Sequence, residues 1–173
     1  MITIVSGTNR PASNTLKVAQ YYQKELAKKG LQTELLNLQH LPADLISSDL
    51  YGKRSAAFEE IQQLVTATSK FLFIIPEYNG SFPGVLKTFI DACAFPESFY
   101  DKKACLVGIS SGKYGNIRGI EHFNGVCAYL HLNVMPLRLH ISSIKNELDE
   151  AGNLYQADTL KFTNEQMDKF VKF

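Results

Sequence analysis

Residues 70–76 read Lys-Phe-Leu-Phe-Ile-Ile-Pro, an apolar run with nothing polar after its first residue. A strand with one wet face alternates apolar and polar residues. A strand without alternation is covered on both faces, as the inner strands of a parallel sheet are. This run is therefore expected at the centre of a sheet. Four further segments read as strands around it: Ile2–Val5, residues 31–38 (LQTELLNL), 104–112 (ACLVGISSG) and 133–141 (NVMPLRLHI).

Segments of helical period separate them. The first is expected from Ser13 to Lys29, with Ser13 as N-cap, Gly30 just past the end, and Val18, Ala19, Tyr22 and Leu26 on one stripe. Residues 39–53, with Pro42, Ser47, Ser48 and Gly52, are expected to form a long loop. A helix over 54–69 carries Phe58, Ile61, Leu64 and Val65 on one side. The next begins at Pro83, which suits the first helical position, with Ser81 or Phe82 as cap and an apolar face of Val85, Leu86, Phe89, Ile90 and Cys93. Another covers about 118–132. Beyond Ser142 the polar stretch KNELDEAGN reads as a loop or short hairpin, before a last helix near 163–170. Alternating strands and helices argue for one parallel sheet with helices on both faces and right-handed crossovers. Five strands in 173 residues suit a single domain over 1–173, a flavodoxin-like three-layer sandwich with strand order 2-1-3-4-5.

A net charge of +1 offers no electrostatic reason to expect nucleic acid or a membrane surface as partner. No apolar run reaches spanning length, and the N-terminus reads as a strand rather than a signal peptide, so a cytoplasmic protein is expected. Cys93, Cys105 and Cys127 are odd in number and lack C-x-x-C spacing, which suits buried reduced thiols. His40, His122, His131 and His140 are scattered without a ligand pattern, so no metal site is expected.

In such a sheet, ligands sit beyond the carboxyl ends of the strands, where strand order reverses between strands one and three. The loops there are Gly7–Thr15, Pro76–Phe82 and Ser110–Gly119. The first leads into a helix N-terminus, where unpaired amides and the helix dipole favour an anion. Thr8, Ser13 and Thr15 add hydroxyls, Asn14 an amide, and Arg10 a permanent cation. A simple cap explains Ser13 but not Thr8, Arg10 or Thr15. The loop lacks G-x-G-x-x-G and the Gly-Lys-Ser/Thr of a Walker loop, so a terminal monophosphate fits it better than a diester. It also lacks the cysteine nucleophile of a low-molecular-weight phosphatase. In the second loop, Tyr78 can line the edge of a flat ring, and the amides around Asn79 and Gly80 can donate to ring heteroatoms.

These stretches resemble the NAD(P)H-dependent FMN reductase family of flavodoxin-like proteins, which includes quinone, chromate and azo-dye reductases. Its G-S-x-R-x-x-S-x-N motif corresponds to Gly7–Thr15, with Thr8 for Ser and Thr15 for Asn. Its P-E-Y-N-x-S-x-P-G-x-L-K-N-x-I-D motif corresponds to Pro76–Asp91, with Thr88 for Asn. Its S-x-G-x-x-G-G-x-R-A motif corresponds to Ser110–Gly119, with Asn116 for the second adjacent Gly and Gly119 for Ala. Ala92 stands where the family often has Trp.

The resemblance covers about residues 1–140. It implies an FMN cofactor, with NADPH or NADH as co-substrate and a small electron acceptor such as a quinone or free flavin. It implies that Thr8, Arg10, Ser13, Asn14 and Thr15 hold the phosphate. Pro76, Glu77, Tyr78, Asn79 and Gly80 would line the ring, and Ser110, Ser111, Gly112 and Gly115 would close the site. No catalytic side chain is expected, because the cofactor carries the chemistry. A homodimer or homotetramer is also implied, and the apolar helix from Pro83 to Phe95 is the surface expected to support it. The competing expectation is a flavodoxin-like electron carrier that does not oxidise nicotinamide itself. The P-E-Y-N motif and the absence of a strongly acidic charge favour the reductase.

Overall fold

The computed structural model of the chain describes residues 1–51 and 54–173. Its strands are β1 (Ile2–Ser6), β2 (Thr33–Asn37), β3 (Lys70–Pro76), β4 (Lys103–Ile109), β5 (Asn133–Val134) and β6 (Leu139–Ile141). The helices are α1 (Asn14–Lys28), α2 (Leu45–Ser48), α3 (Ala56–Ala67), α4 (Gly84–Ala92), α5 (Ile117–Tyr129) and α6 (Ala157–Lys172). All strand pairs are parallel, in the order β2-β1-β3-β4-β5, and β6 also pairs with β4. The expected order 2-1-3-4-5 is therefore present, with β3 central.

The apolar run of β3 divides by parity, because successive side chains of a strand point to opposite faces. Phe71, Phe73 and Ile75 join Val5, Ala104 and Leu106 under α3, α4 and α5, in one core with Phe58, Leu86, Phe89 and Phe123. Leu72 and Ile74 join Ile4, Cys105 and Val107 under α1 and α6, in a second core with Val18, Tyr22, Met167 and Phe170. Each fully buried Leu, Ile or Phe contributes about 1.5–3 kcal/mol. Both faces of the sheet are thus needed, which is why the strand shows no alternation.

Several local expectations are corrected. The fifth strand is two short pieces, not one run over 133–141. β5 pairs with Lys103 and Ala104, β6 with Val107–Ile109, and Pro136, which has no amide to donate, lies in the gap. β4 stops at Ile109, so residues 110–112 belong to the loop. The loop expected over 39–53 contains a 3₁₀ turn at Leu38–His40 and the single turn of α2, and its positions 52 and 53 lie outside the described residues. Pro83 is the cap of α4 rather than its first helical residue. The stretch KNELDEAGN takes the second of its two expected forms and closes as a hairpin, with an antiparallel bridge between Leu148 and Leu154. The last helix is longer than its expected core. Tyr22 donates to Gln166 Oε1 at 2.8 Å, and the Gln166 amide donates to the carbonyls of Leu106 and Leu137, pinning α6 to the sheet.

Candidate functional site

A cleft of about 380 Å³ opens at the carboxyl ends of β1, β3 and β4. Arg10, Ser13, Asn14 and Thr15 line it from the first loop, Pro76, Glu77 and Tyr78 from the second, and Ser110 and Ser111 from the third. Segments far apart in the sequence thus form one wall.

The first loop is held close to the sheet. The Gly7 amide donates to the Ile74 carbonyl at 2.9 Å, and a Cβ at Gly7 would lie 2.8 Å from that same oxygen. No side chain fits there, and the chain turns directly into the helix. Ser13 caps α1: its Oγ accepts from Leu16 N–H at 3.1 Å and its carbonyl from Lys17 N–H. The amides of Asn14 and Thr15 have no hydrogen-bond partner among the described residues, as the first turn of a helix leaves them. Arg10 is exposed and makes no ion pair among the described residues. Unpaired amides, the positive end of a 15-residue helix and a free guanidinium together suit a phosphate monoester.

The second loop is a tight hairpin. Tyr78 N–H donates to the Ser81 carbonyl at 2.9 Å, and Ser81 N–H returns to the Tyr78 carbonyl at 3.1 Å. Asn79 and Gly80 occupy the two corner positions at φ 51° and 75°, the left-handed region that a two-residue hairpin turn demands and that Asn and Gly tolerate. Neither residue lines the cleft itself. Behind the turn, Ser81 Oγ lies 2.9 Å from His122 Nδ1 on α5.

The third loop is braced from within. Ser110 Oγ donates to the Gly112 carbonyl at 2.9 Å and accepts from Gly115 N–H at 3.0 Å, so this hydroxyl is committed to the loop. Gly115 packs on β6: a Cβ there would meet the His140 backbone at 2.4 Å. Neither Gly112, which is exposed, nor Gly115, which is buried, lines the cleft. Asn116 sits at φ 63°, fully buried, and its Nδ2 donates to the Ile75 carbonyl at 3.0 Å, tying this loop to the strand that feeds the hairpin. A Cβ at Gly119 would fall 2.1 Å from Asn116 Oδ1 and 2.7 Å from the Ser81 carbonyl carbon. The two departures from the third motif thus share one space: the amide of Asn116 occupies the place that a methyl at residue 119 would need. Ala92 is buried in the core, and its carbonyl accepts from Arg54.

Thr8 is fully buried and also stands behind the cleft, with Oγ1 2.9 Å from the Tyr78 hydroxyl. In its place the structure supplies residues that sequence reasoning did not name: Pro11, Ala12, Ile109, Ile144 and Lys145. Lys145 follows β6, and Ser143 and Ile144 donate backbone bonds to Gly112 and Ser110. The signal for it was the topology, since the loop after a fifth parallel strand leaves the same sheet edge. Lys145 gives the cleft a second exposed cation.

The three thiols are free and buried. Burial pushes Cys93 and Cys127 up to about 12 and raises Cys105 as well, so none is a thiolate at neutral pH. Among the described residues, no three His, Cys, Asp or Glu side chains are grouped to hold a metal ion, and no helix is long and apolar enough to cross a membrane.

Residues 1–146 match the family described as NADPH-dependent FMN reductase. Over 98% of its length the chain is 30% identical to a 2-hydroxy-1,4-benzoquinone reductase of Burkholderia, covering 93% of that protein. It is 31% identical to an NAD(P)H-dependent FMN reductase of Pseudomonas aeruginosa, over 82% of this chain and 78% of that one. A flavoenzyme NAD(P)H:acceptor oxidoreductase from Paracoccus denitrificans has the same fold, with a TM-score of 0.80 at 23% identity over 99% of this chain and 94% of that one.

Proposed function

The chain belongs to the NADPH-dependent FMN reductase family, and from that premise we propose that it oxidises NADPH or NADH with FMN held in the cleft at the ends of β1, β3 and β4, and reduces a small acceptor of the quinone class. The observation that carries the reading is the first loop, where two helix amides and the Arg10 guanidinium, without partners among the described residues, line the cleft. This donor set fits a monophosphate, and the part of the cleft lined by Tyr78, Ser110 and Ser111 fits a flat ring. FMN supplies a ring that accepts a hydride from nicotinamide and returns two electrons to an acceptor.

The protein's own part is placement. Arg10, Asn14 and Thr15 anchor the anionic end, and Lys145 also lines the cleft. The amides of Asn79 and Gly80 have no partner among the described residues and present donors at the hairpin tip. Glu77 N–H is spent on the Ile109 carbonyl at 2.9 Å, which holds the lip against the end of β4. No side chain is needed as acid or base.

Flavin titration tests the phosphate reading. Arg10→Ala should weaken FMN by about 10-fold or more, since a charge-assisted hydrogen bond is worth about 1.5–3 kcal/mol, and should leave riboflavin unchanged. Equal affinity of the native protein for FMN and riboflavin would refute it. Anaerobic addition of NADPH or NADH should bleach the bound flavin. A holoprotein that stays yellow with both, yet is bleached by dithionite, is an electron carrier.

A two-fold dimer accompanies this reading. Phe89, Ile90 and Cys93 are used in the core, so the apolar surface left on this side is Phe95, Tyr100 and Tyr129, beside a trough that Val126 and Leu130 line together with Lys87, Asp91 and His122. Light scattering at micromolar concentration should give twice the chain mass of 19.4 kDa. A fully active monomer would remove the dimer.

A further inference from the structure

We propose that Thr8 serves the ring end of the flavin site rather than its phosphate: it is a positioning residue that fixes the hydroxyl of Tyr78 and so joins the first loop to the hairpin lip. The inference rests on the reading of the cleft as a flavin site. It differs from the phosphate role that the sequence motif implies for this position.

The geometry leaves Thr8 little to offer a phosphate. After β1 the Gly7 amide bonds the Ile74 carbonyl and the Thr8 amide turns back to the Ser6 carbonyl at 2.9 Å, which directs the Thr8 side chain into the protein. It has no exposed surface and is absent from the cleft lining. A hydroxyl has one proton and two lone pairs. Thr8 Oγ1 accepts from Arg10 N–H at 3.3 Å and shares a bond of 2.9 Å with the Tyr78 hydroxyl. The first contact holds the loop at Arg10, and the second holds a tyrosine 70 residues away.

Tyr78 depends on that contact. Its backbone is held in the hairpin, but its ring is half-buried at the cleft edge and its hydroxyl has no other partner among the described residues. Thr is suited to anchor it, because its branched side chain is stiff at χ1 and aims the hydroxyl in one direction. With the bond intact the ring edge is held in one orientation before a flat ligand arrives, so less ordering is left to binding. With the bond lost, the cost falls on whatever touches the ring, whether or not the ligand carries a phosphate.

Riboflavin, which is FMN without the phosphate, separates the two roles. Dissociation constants of FMN and riboflavin are measured by flavin fluorescence for the native protein and for Thr8→Val, Tyr78→Phe, Thr8→Ser and the Val/Phe double variant. Visible circular dichroism of the bound flavin is recorded alongside, as are apoprotein melting curves. Tyr78→Phe should weaken both flavins by the same factor, about 3- to 10-fold, as one neutral hydrogen bond allows, and Thr8→Val should weaken riboflavin by that factor and FMN by at least as much, because it also removes the acceptor of Arg10 N–H. The double variant should be no worse than Thr8→Val alone, and Thr8→Ser should stay within about twofold of native because it keeps the hydroxyl. Both single variants should change the flavin dichroism in the same way. Tyr78→Phe keeps the first loop intact, so the test stands even if Thr8→Val folds poorly. A Thr8→Val variant that loses FMN affinity but keeps riboflavin affinity would overturn the proposal in favour of a phosphate donor, and so would additive losses in the double variant. A native protein that binds neither flavin would overturn the flavin reading itself, and this proposal with it.

Discussion

A methyl group added at Gly119 has no space to enter. Its carbon would lie 2.1 Å from Asn116 Oδ1, 2.8 Å from Asn116 Cγ and 2.7 Å from the Ser81 carbonyl carbon, all far inside van der Waals contact. The Asn116 amide cannot simply swing away, because it is fully buried and its Nδ2 holds the Ile75 carbonyl. Ser81 closes the hairpin through two backbone bonds to Tyr78, so pushing it back moves the lip of the cleft. Overpacking a buried site costs about 1–3 kcal/mol, and losing the Asn116 bond adds about 0.5–1.5 kcal/mol. Gly119→Ala should therefore lose about 1.5–4.5 kcal/mol. In a protein of this size that is about 2–4 °C of melting temperature for each kcal/mol, or about 3–18 °C in all.

The second arm is Asn116→Gly. Alone it should be close to neutral, because the lost hydrogen bond is offset by a residue that adopts φ 63° without strain. Combined with Gly119→Ala it removes both Asn116 atoms from the collision and leaves only Ser81. The double variant should recover about 1–2 kcal/mol relative to additivity. Melting curves by circular dichroism give the stabilities, and FMN titration of the folded variants reports the lip. A Gly119→Ala variant that melts within about 1 °C of native, or a strictly additive double variant, would refute the claim that residues 116 and 119 share one space.

Two further outcomes are expected. The native protein should leave all three thiols unmodified by Ellman's reagent at about pH 8 and release three equivalents on unfolding, because burial raises Cys93, Cys105 and Cys127; rapid labelling of the folded protein would contradict this. Burial pushes the Asp49 carboxyl up, but hydrogen bonds from Ser48 and Ser55 and the Arg54 charge outweigh it and hold it below the usual carboxylate value. A carboxylate depressed on folding stabilises above its unfolded pKa and loses that contribution as pH falls through the folded one. Asp49→Asn should thus destabilise the protein at about pH 7 and converge with native in strong acid, as denaturant curves at both pH values would show. A gap that persists at low pH would mean that the carboxylate charge is not what matters.

The layers of this fold were legible in the residues because hydrophobic period is a local property, and the strand order followed from the doubly wound sheet that five alternating strands suit. The unbroken run of β3 needs cover on both faces, and the sheet delivers it by sorting Phe71 and Phe73 to one core and Leu72 and Ile74 to the other. The same logic brought loops one, two and three to one edge, since every parallel strand ends on that side. Asn79-Gly80 could have been read as a hairpin corner from its residue types alone.

What the residues could not show is which way each polar side chain turns once the loops meet. Thr8 and Ser110 sit in motifs that suggest a ligand, yet one bonds Tyr78 and the other its own loop. Gly115 is small for the sake of His140, and Gly119 for the sake of Asn116. Lys145 reaches the cleft only because Ser143 and Ile144 dock on the third loop. Each of these is decided by a contact between segments brought together by folding. A side chain takes the nearest partner in three dimensions, and the sequence orders only one.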